Sequence, residues 1–238
     1  MKADSRILGI IPARGGSKGI PRKNLVDVCG KPLIAWSIAC GNALVDQRII
    51  ARSIVSTDDR EIADVSRDYQ ADVPFLRPSE IAGDGSKTIE CVLHALDFML
   101  ERGESYDAVL LLQPTSPLRD VADIGRAVAQ FVAADALSLI SCYEEDYVCE
   151  DVMYREREDD RLRPVSQSHN RGVPRQDHGA TWVRNGAVYL TRTGYLRDCR
   201  RFICDRPLLM KMRKSDSINV NCTDDLVLLR ARLCGSAS

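Results

Sequence analysis

Residues 11–24 read Ile11-Pro12-Ala13-Arg14-Gly15-Gly16-Ser17-Lys18-Gly19-Ile20-Pro21-Arg22-Lys23-Asn24, and this is where chemistry is most concentrated. Between Asp4 and Asp27 there is no acidic residue, while Arg6, Arg14, Lys18, Arg22 and Lys23 are all basic. Glycines let backbone N–H groups turn toward an anion without side-chain obstruction. Arginine then neutralises the anion as a planar fork and lysine as a point charge. Five cations without a neighbouring acid repel one another, so the stretch reads as an anion site better than as a bare basic turn. It matches neither a Walker A loop nor a Gly-x-Gly-x-x-Gly fingerprint.

A second stretch, Leu111-Leu112-Gln113-Pro114-Thr115-Ser116-Pro117-Leu118-Arg119, ends an apolar run in two prolines flanking short polar groups. Proline fixes the backbone and removes competing donors, so Gln113, Thr115, Ser116 and Arg119 are presented together. Arg119 is placed to pair with a carboxylate.

These loops need elements to hold them. Arg6–Pro12, Ser53–Ser56, Val73–Leu76, Ala108–Leu112 and Ala136–Cys142 read as strands. The unbroken apolar run in Ala108–Leu112 suggests burial on both faces. Pro32–Leu44, Arg60–Tyr69, Thr88–Leu100 and Val121–Val132 have helical spacing. Pro32 stands near a helix start, and either Thr57 or Asp58 is placed to cap the helix after it. Strand and helix alternate five times in 142 residues. That predicts an α/β domain with a mostly parallel sheet covered on both faces by helices. Ligands in such sheets bind outside the carboxyl ends of the strands, which is where both polar loops fall. Beyond Cys142 comes a polar segment, Glu144 to His178, with the charge run 155–161 at its centre. It reads as a solvated hairpin or loop. Strands at Ala187–Thr191 and Leu208–Met212 follow, then a helix over Thr223–Leu233 with Thr223 as its expected cap.

The 238 residues carry 33 Lys plus Arg against 34 Asp plus Glu, a net charge of −1, with 45% hydrophobic residues. This excludes a disordered chain, and it lacks the basic excess of a general nucleic-acid binder. The longest uncharged stretch, Pro32–Val45, has fourteen residues, short of the ~20 that span a membrane. The apolar run near the N-terminus is too short for a signal-peptide core. A cytoplasmic protein is expected. The nine cysteines form no Cys-x-x-Cys pair, so zinc is not expected and most should be small buried residues.

The two long motifs, with Ser56-Thr57-Asp58, Arg77-Pro78, Pro174-Arg175-Gln176 and Asn185-Gly186-Ala187-Val188-Tyr189, resemble the acylneuraminate cytidylyltransferases, or CMP-sialic acid synthetases. The matches run in order over nearly the whole chain. The resemblance implies a single nucleotidyltransferase (Rossmann-like) domain over residues 1–238, with a protruding dimerisation insertion at about 144–178 and a homodimer. It implies transfer of CMP from CTP to the anomeric hydroxyl of a 2-keto-3-deoxy sugar acid, releasing pyrophosphate, with Mg²⁺ as cofactor. Carried over by position, Ala13, Arg14, Ser17, Lys18, Lys23, Asn24, Arg77, Ser86 and Thr88 hold the nucleotide. Gln113, Thr115, Ser116, Arg119, Arg175, Asn185 and Tyr189 hold the sugar acid. Arg14, Lys18 and Gln113 are the implied catalytic groups.

The chain also departs from the family. Where members carry two aspartates for magnesium, it has Ser217-Ile218-Asn219-Val220-Asn221. An Asn oxygen ligates a hard cation without an aspartate's charge. Either the phosphates recruit Mg²⁺ with Asn219 and Asn221 as weak ligands, or Asp216, Asp224 or Asp225 compensates, or the chain binds nucleotide without turnover. The acidic residues 144–146, 150 and 151 leave the acceptor open, whether sialic acid-like, another acidic sugar or a phosphonate.

Overall fold

A computed structural model of the chain describes residues 5–16, 19–83, 85–157, 161–170 and 180–235. Its centre is a six-stranded sheet. In spatial order the strands are β10 (Leu208–Met212), β6 (Ser138–Glu145), β9 (Thr181–Arg192), β5 (Ala108–Leu111), β1 (Ile7–Pro12) and β4 (Arg52–Ser56). β1 pairs in parallel with β4 and β5, and β6 with β10, while β9 runs antiparallel between β5 and β6. The expected mostly parallel sheet is therefore present, with one reversed strand.

Alternation along β1 and β5 explains the two apolar layers. Ile7 and Ile11 of β1, with Leu110 of β5, pack on α1 (Leu33–Asp46) and α4 (Val121–Ala133) through Ile34, Ile38, Leu44, Ile124 and Phe131. Leu8, Ile10, Val109 and Leu111 face the other way, onto Val92, Leu96 and Met99 of α3 (Thr88–Glu101) and Leu196 of α5 (Thr193–Cys199). A third cluster joins Ile20, Val28 and Leu33 to Val220, Leu226 and Leu229, binding the segment after β1 to α6 (Thr223–Cys234). A short antiparallel pair, β2 (Asp27–Val28) and β3 (Lys31–Pro32), lies between the cationic loop and α1.

Four local expectations change. Val73–Leu76 forms only single bridges, Asp72 to Ile54 and Leu76 to Thr57, because Pro74 has no N–H to continue a ladder. The cap of α2 (Arg60–Asp68) is Asp59, whose carboxylate accepts from the Ile62 N–H at 3.0 Å, rather than Thr57 or Asp58. The cap of α6 is Cys222 rather than Thr223, with Asp225 accepting from the backbone N–H groups of Asn221 and Cys222. Among the cysteines, Cys40, Cys91 and Cys142 are buried as small apolar residues. Cys29 and Cys234, however, form a disulfide across 205 positions, and Cys199 and Cys222 are exposed.

The polar segment after β6 carries an antiparallel pair, β7 (Tyr154–Glu156) and β8 (Leu162–Pro164), as the hairpin reading expected. Among the described residues no helix is long and apolar enough to cross a membrane.

Candidate active site

β1 and β5 are neighbours and run the same way, so the loops leaving their carboxyl ends meet. Between them lies a cleft of about 450 Å³. One wall comes from the β1 loop through Arg14, Gly19, Lys23 and Asn24, and the floor from Gln113, Pro114 and Thr115. The far wall is built by Arg77, Gly83, Ser86, Lys87 and Thr88, and Asn221 closes the end.

The β1 loop is held by its own backbone. Buried Asn24 donates through Nδ2 to the Arg14 carbonyl at 3.0 Å. The Gly15 N–H donates to Asp58 Oδ1 at 3.3 Å, and the same oxygen accepts from Arg77 at 3.0 Å. Asp58 thus links the cationic loop to the opposite wall. Gly19 is required by close approach: a Cβ there would lie 2.4 Å from the Asn221 carbonyl oxygen. Lys23 donates through Nζ to the Val220 carbonyl at 2.9 Å. Burial and the nearby Arg14 charge hold the Lys23 ammonium below the usual lysine range. An anion in the cleft would offset both effects by favouring the charged ammonium.

Arg77 is more than nine-tenths buried, yet its Nε has no hydrogen-bond partner. A buried guanidinium N–H left unpaired is costly, and the Arg77 side chain is part of the cleft lining. Lys87, between Ser86 and Thr88, adds a cation to the far wall. The sequence reading passed over it although its type and its loop position were both visible. Asp58 was missed because a carboxylate in an anion site looks adverse until its partners are seen.

Several residues assigned to the sugar acid stand elsewhere. Arg119 is not on the cleft and meets no carboxylate. It donates to the Ala187 carbonyl at 2.7 Å, Ser37 Oγ at 2.9 Å and the Gln113 carbonyl at 2.5 Å. Burial lowers its pKa to about 10, so it stays charged at neutral pH. Ser116 is buried and donates to the Asn185 carbonyl. Asn185 is buried too, accepting from Ser141 and the Ala187 N–H and donating to Ser217. These three form a hydrogen-bonded polar brace outside the cleft lining. Tyr189 packs against Phe202 in the apolar layer under α3. Ala13 is fully buried in the core and donates its N–H to Ser56, so it flanks the cleft instead of lining it. Gln113 and Thr115 do line it. Ser17, Lys18 and Arg175 lie outside the described residues.

The donor set for a metal is sparse. Asn221 lines the cleft, but its Nδ2 donates to the Asn219 carbonyl. Asn219 Oδ1 is buried without a partner. Asp216 is committed to Arg213 and Arg232, and Asp225 to the α6 N-terminus. Among the described residues no three His, Cys, Asp or Glu side chains gather as a cation site. Neutral amides alone do not fit a resident divalent ion, which binds through charged oxygens.

Residues 8–161 match the cytidylyltransferase family. The chain is 31% identical over 210 residues to pseudaminic acid cytidylyltransferase of Campylobacter jejuni strain 81-176, spanning 83% of this chain and 89% of that protein. It is 45% identical over 123 residues to CMP-N,N′-diacetyllegionaminic acid synthase of Legionella pneumophila, 52% of each chain. Its fold resembles that of CMP:2-keto-3-deoxy-manno-octonic acid synthetase solved with CTP, with a TM-score of 0.70 and 16% identity, covering 98% of this chain and 100% of that one. A cleft walled by cations at the ends of β1 and β5, and a sequence that matches over most of its length, lead to one conclusion: the chain belongs to the cytidylyltransferase family.

Proposed function

We propose that the protein transfers CMP from CTP to the anomeric hydroxyl of a 2-keto-3-deoxy sugar acid and releases pyrophosphate. The observation that carries this reading is the meeting of two chemically different loops across one cleft. The β1 loop brings Arg14 and Lys23 to an anion, and the β5 loop brings Gln113 and Thr115 to a polyhydroxylated acceptor. Relatives named for pseudaminic and diacetyllegionaminic acids support the acceptor class.

In this reading Arg14 and Lys23 neutralise the triphosphate, and Lys18 joins them from the same loop. Arg77, Asn24, Ser86 and Thr88 shape the nucleoside end. Gln113 and Thr115 orient the acceptor hydroxyl for in-line attack on the α-phosphorus, and pyrophosphate leaves from the opposite side. Most of the rate enhancement then comes from positioning and charge neutralisation. Mg²⁺ would enter as part of the CTP substrate, and of the two amides Asn221 is the one that lines the cleft. The protein works in the cytoplasm as a homodimer. The insertion supplies its contact, since Tyr147, Met153, Tyr154 and Leu162 are exposed there.

Incubation with CTP, Mg²⁺ and a panel of sugar acids, read by mass spectrometry, tests the reading. A CMP-sugar acid that disappears in excess chelator is the expected result. Tight CTP binding with no product across the panel would instead favour a nucleotide-binding relative, the reading to which the neutral Asn219–Asn221 pair points.

A further inference from the structure

The cleft wall that carries Gly19, Lys23, Asn24 and Asn221 is built from two segments far apart in sequence, one before α1 and one running into α6. They meet at the cleft, where Lys23 Nζ donates to the Val220 carbonyl and a Cβ on Gly19 would strike that of Asn221. Behind the cleft they share an apolar cluster, with Val28 and Leu33 against Val220, Leu226 and Leu229. At the far end Arg230 donates to the Asp27 carbonyl at 2.6 Å, and the Cys29–Cys234 disulfide links the two segments covalently.

Cys29 stands where a turn does not favour it. Cys29 and Gly30 are the central residues of the β2–β3 turn, and both have positive φ, +55° and +82°. Such a turn prefers Asn or Asp before Gly. A residue kept in an unfavourable backbone region points to function more than to fold, and here the cysteine contributes its sulfur. Cys234 is exposed at the end of α6, while Cys29 is half-buried against the apolar cluster. A thiolate from solvent therefore reaches the Cys234 sulfur more readily. In a reducing cytoplasm a disulfide is characteristically transient or redox-sensing.

We propose that the Cys29–Cys234 pair is a redox switch that sets the affinity of the cleft for CTP, high when oxidised and lower when reduced. This rests on the cleft being the CTP site of a cytoplasmic protein, as read above. The reductant is a protein dithiol. One of its thiolates attacks the Cys234 sulfur, the S–S bond breaks, and Cys29 leaves as a thiolate. Its second thiolate then attacks the mixed disulfide and frees Cys234. The two protons of the dithiol end on Cys29 and Cys234, and two electrons pass from the dithiol to the protein. The noncovalent ties remain, so the wall stays folded. Its two segments gain freedom that CTP must then remove on binding.

The test measures CTP binding by isothermal titration, without acceptor, to oxidised wild type and to wild type reduced with dithiothreitol. The double variant Cys29→Ser with Cys234→Ser is titrated in both conditions. Reduction should weaken CTP binding about 5- to 20-fold, and the double variant should bind like the reduced protein with or without dithiothreitol. Coupling of this kind is reciprocal. Saturating CTP should therefore shift the dithiothreitol equilibrium toward the disulfide by the same factor, read by alkylation and mass spectrometry of the two cysteine peptides. Equal CTP affinity in the two redox states, a double variant that still responds to dithiothreitol, or a disulfide equilibrium that CTP does not move overturns the switch alone. So does loss of the folded circular-dichroism spectrum on reduction, which would make the disulfide a structural staple. No CTP binding by the oxidised protein overturns the functional reading as well.

Discussion

At the scale of single residues, the cleft is defined by groups whose own needs are only partly met. Lys23 is the clearest case, because burial and Arg14 hold its pKa below the usual 10.5. Its protonated form is the one that binds phosphate, so CTP affinity should fall as pH rises through that lowered pKa. Lys23→Gln should raise the CTP KM about 10- to 100-fold, the loss of one hydrogen bond to a charged group, and remove that alkaline limb from the pH profile. A limb that persists in the variant would assign it to another group. Arg119 makes the opposite point. The sequence showed an arginine beside a polar loop, which fits a ligand-binding role and a structural role equally well. Only the fold reveals that its three donors meet Ala187, Ser37 and Gln113. Arg119→Ala removes three hydrogen bonds from a buried charged donor and should cost about 3 kcal/mol in denaturant unfolding. Arg119→Lys should recover only part of that, since a point charge cannot replace the fork.

At the scale of elements, the strands and helices were legible because their apolar periods were clean. β5 shows it best: its unbroken apolar run is divided between two layers, as burial on both faces requires. What stayed hidden were features set by a partner distant in sequence. Asp58 and Asp59 are both plausible caps in the chain. Asp59 takes the cap, while Asp58 is engaged by Gly15 and Arg77. The glycines of the cationic loop likewise look equivalent in sequence but differ in space. A Cβ on Gly19 would strike the Asn221 carbonyl at 2.4 Å, whereas one on Gly16 meets nothing within 4 Å. Gly19→Ala should therefore displace the segment before α6 and weaken CTP binding about tenfold or more, the effect of a misplaced contact in a charged site. Gly16→Ala should leave binding nearly unchanged. Isothermal titration with CTP distinguishes the two, and equal effects would mean that the loop does not lean on Asn221.

At the scale of the whole molecule, two connections tie distant parts of the chain together. The Cys29–Cys234 disulfide joins the turn between β2 and β3 to the end of α6. No spacing rule could suggest a pair 205 positions apart. Closing so long a loop stabilises by about 5 kcal/mol in the chain-entropy account. Reduction should lower the melting temperature, and thiol titration under denaturing, non-reducing conditions should count seven free cysteines. The second connection is the subunit contact proposed above. Tyr154→Asp with Leu162→Asp should shift the protein from dimer to monomer in sedimentation velocity, because charges would replace the exposed apolar residues of the insertion. The near-zero net charge hid the arrangement on which function depends, a cationic loop set against a polar floor and acidic surface elsewhere. That arrangement makes one prediction above the rest: with a sugar acid present, pyrophosphate release should be fastest with CTP, and the product should carry CMP. Faster release with UTP or GTP, or CTP consumption without a CMP-sugar acid, would contradict it.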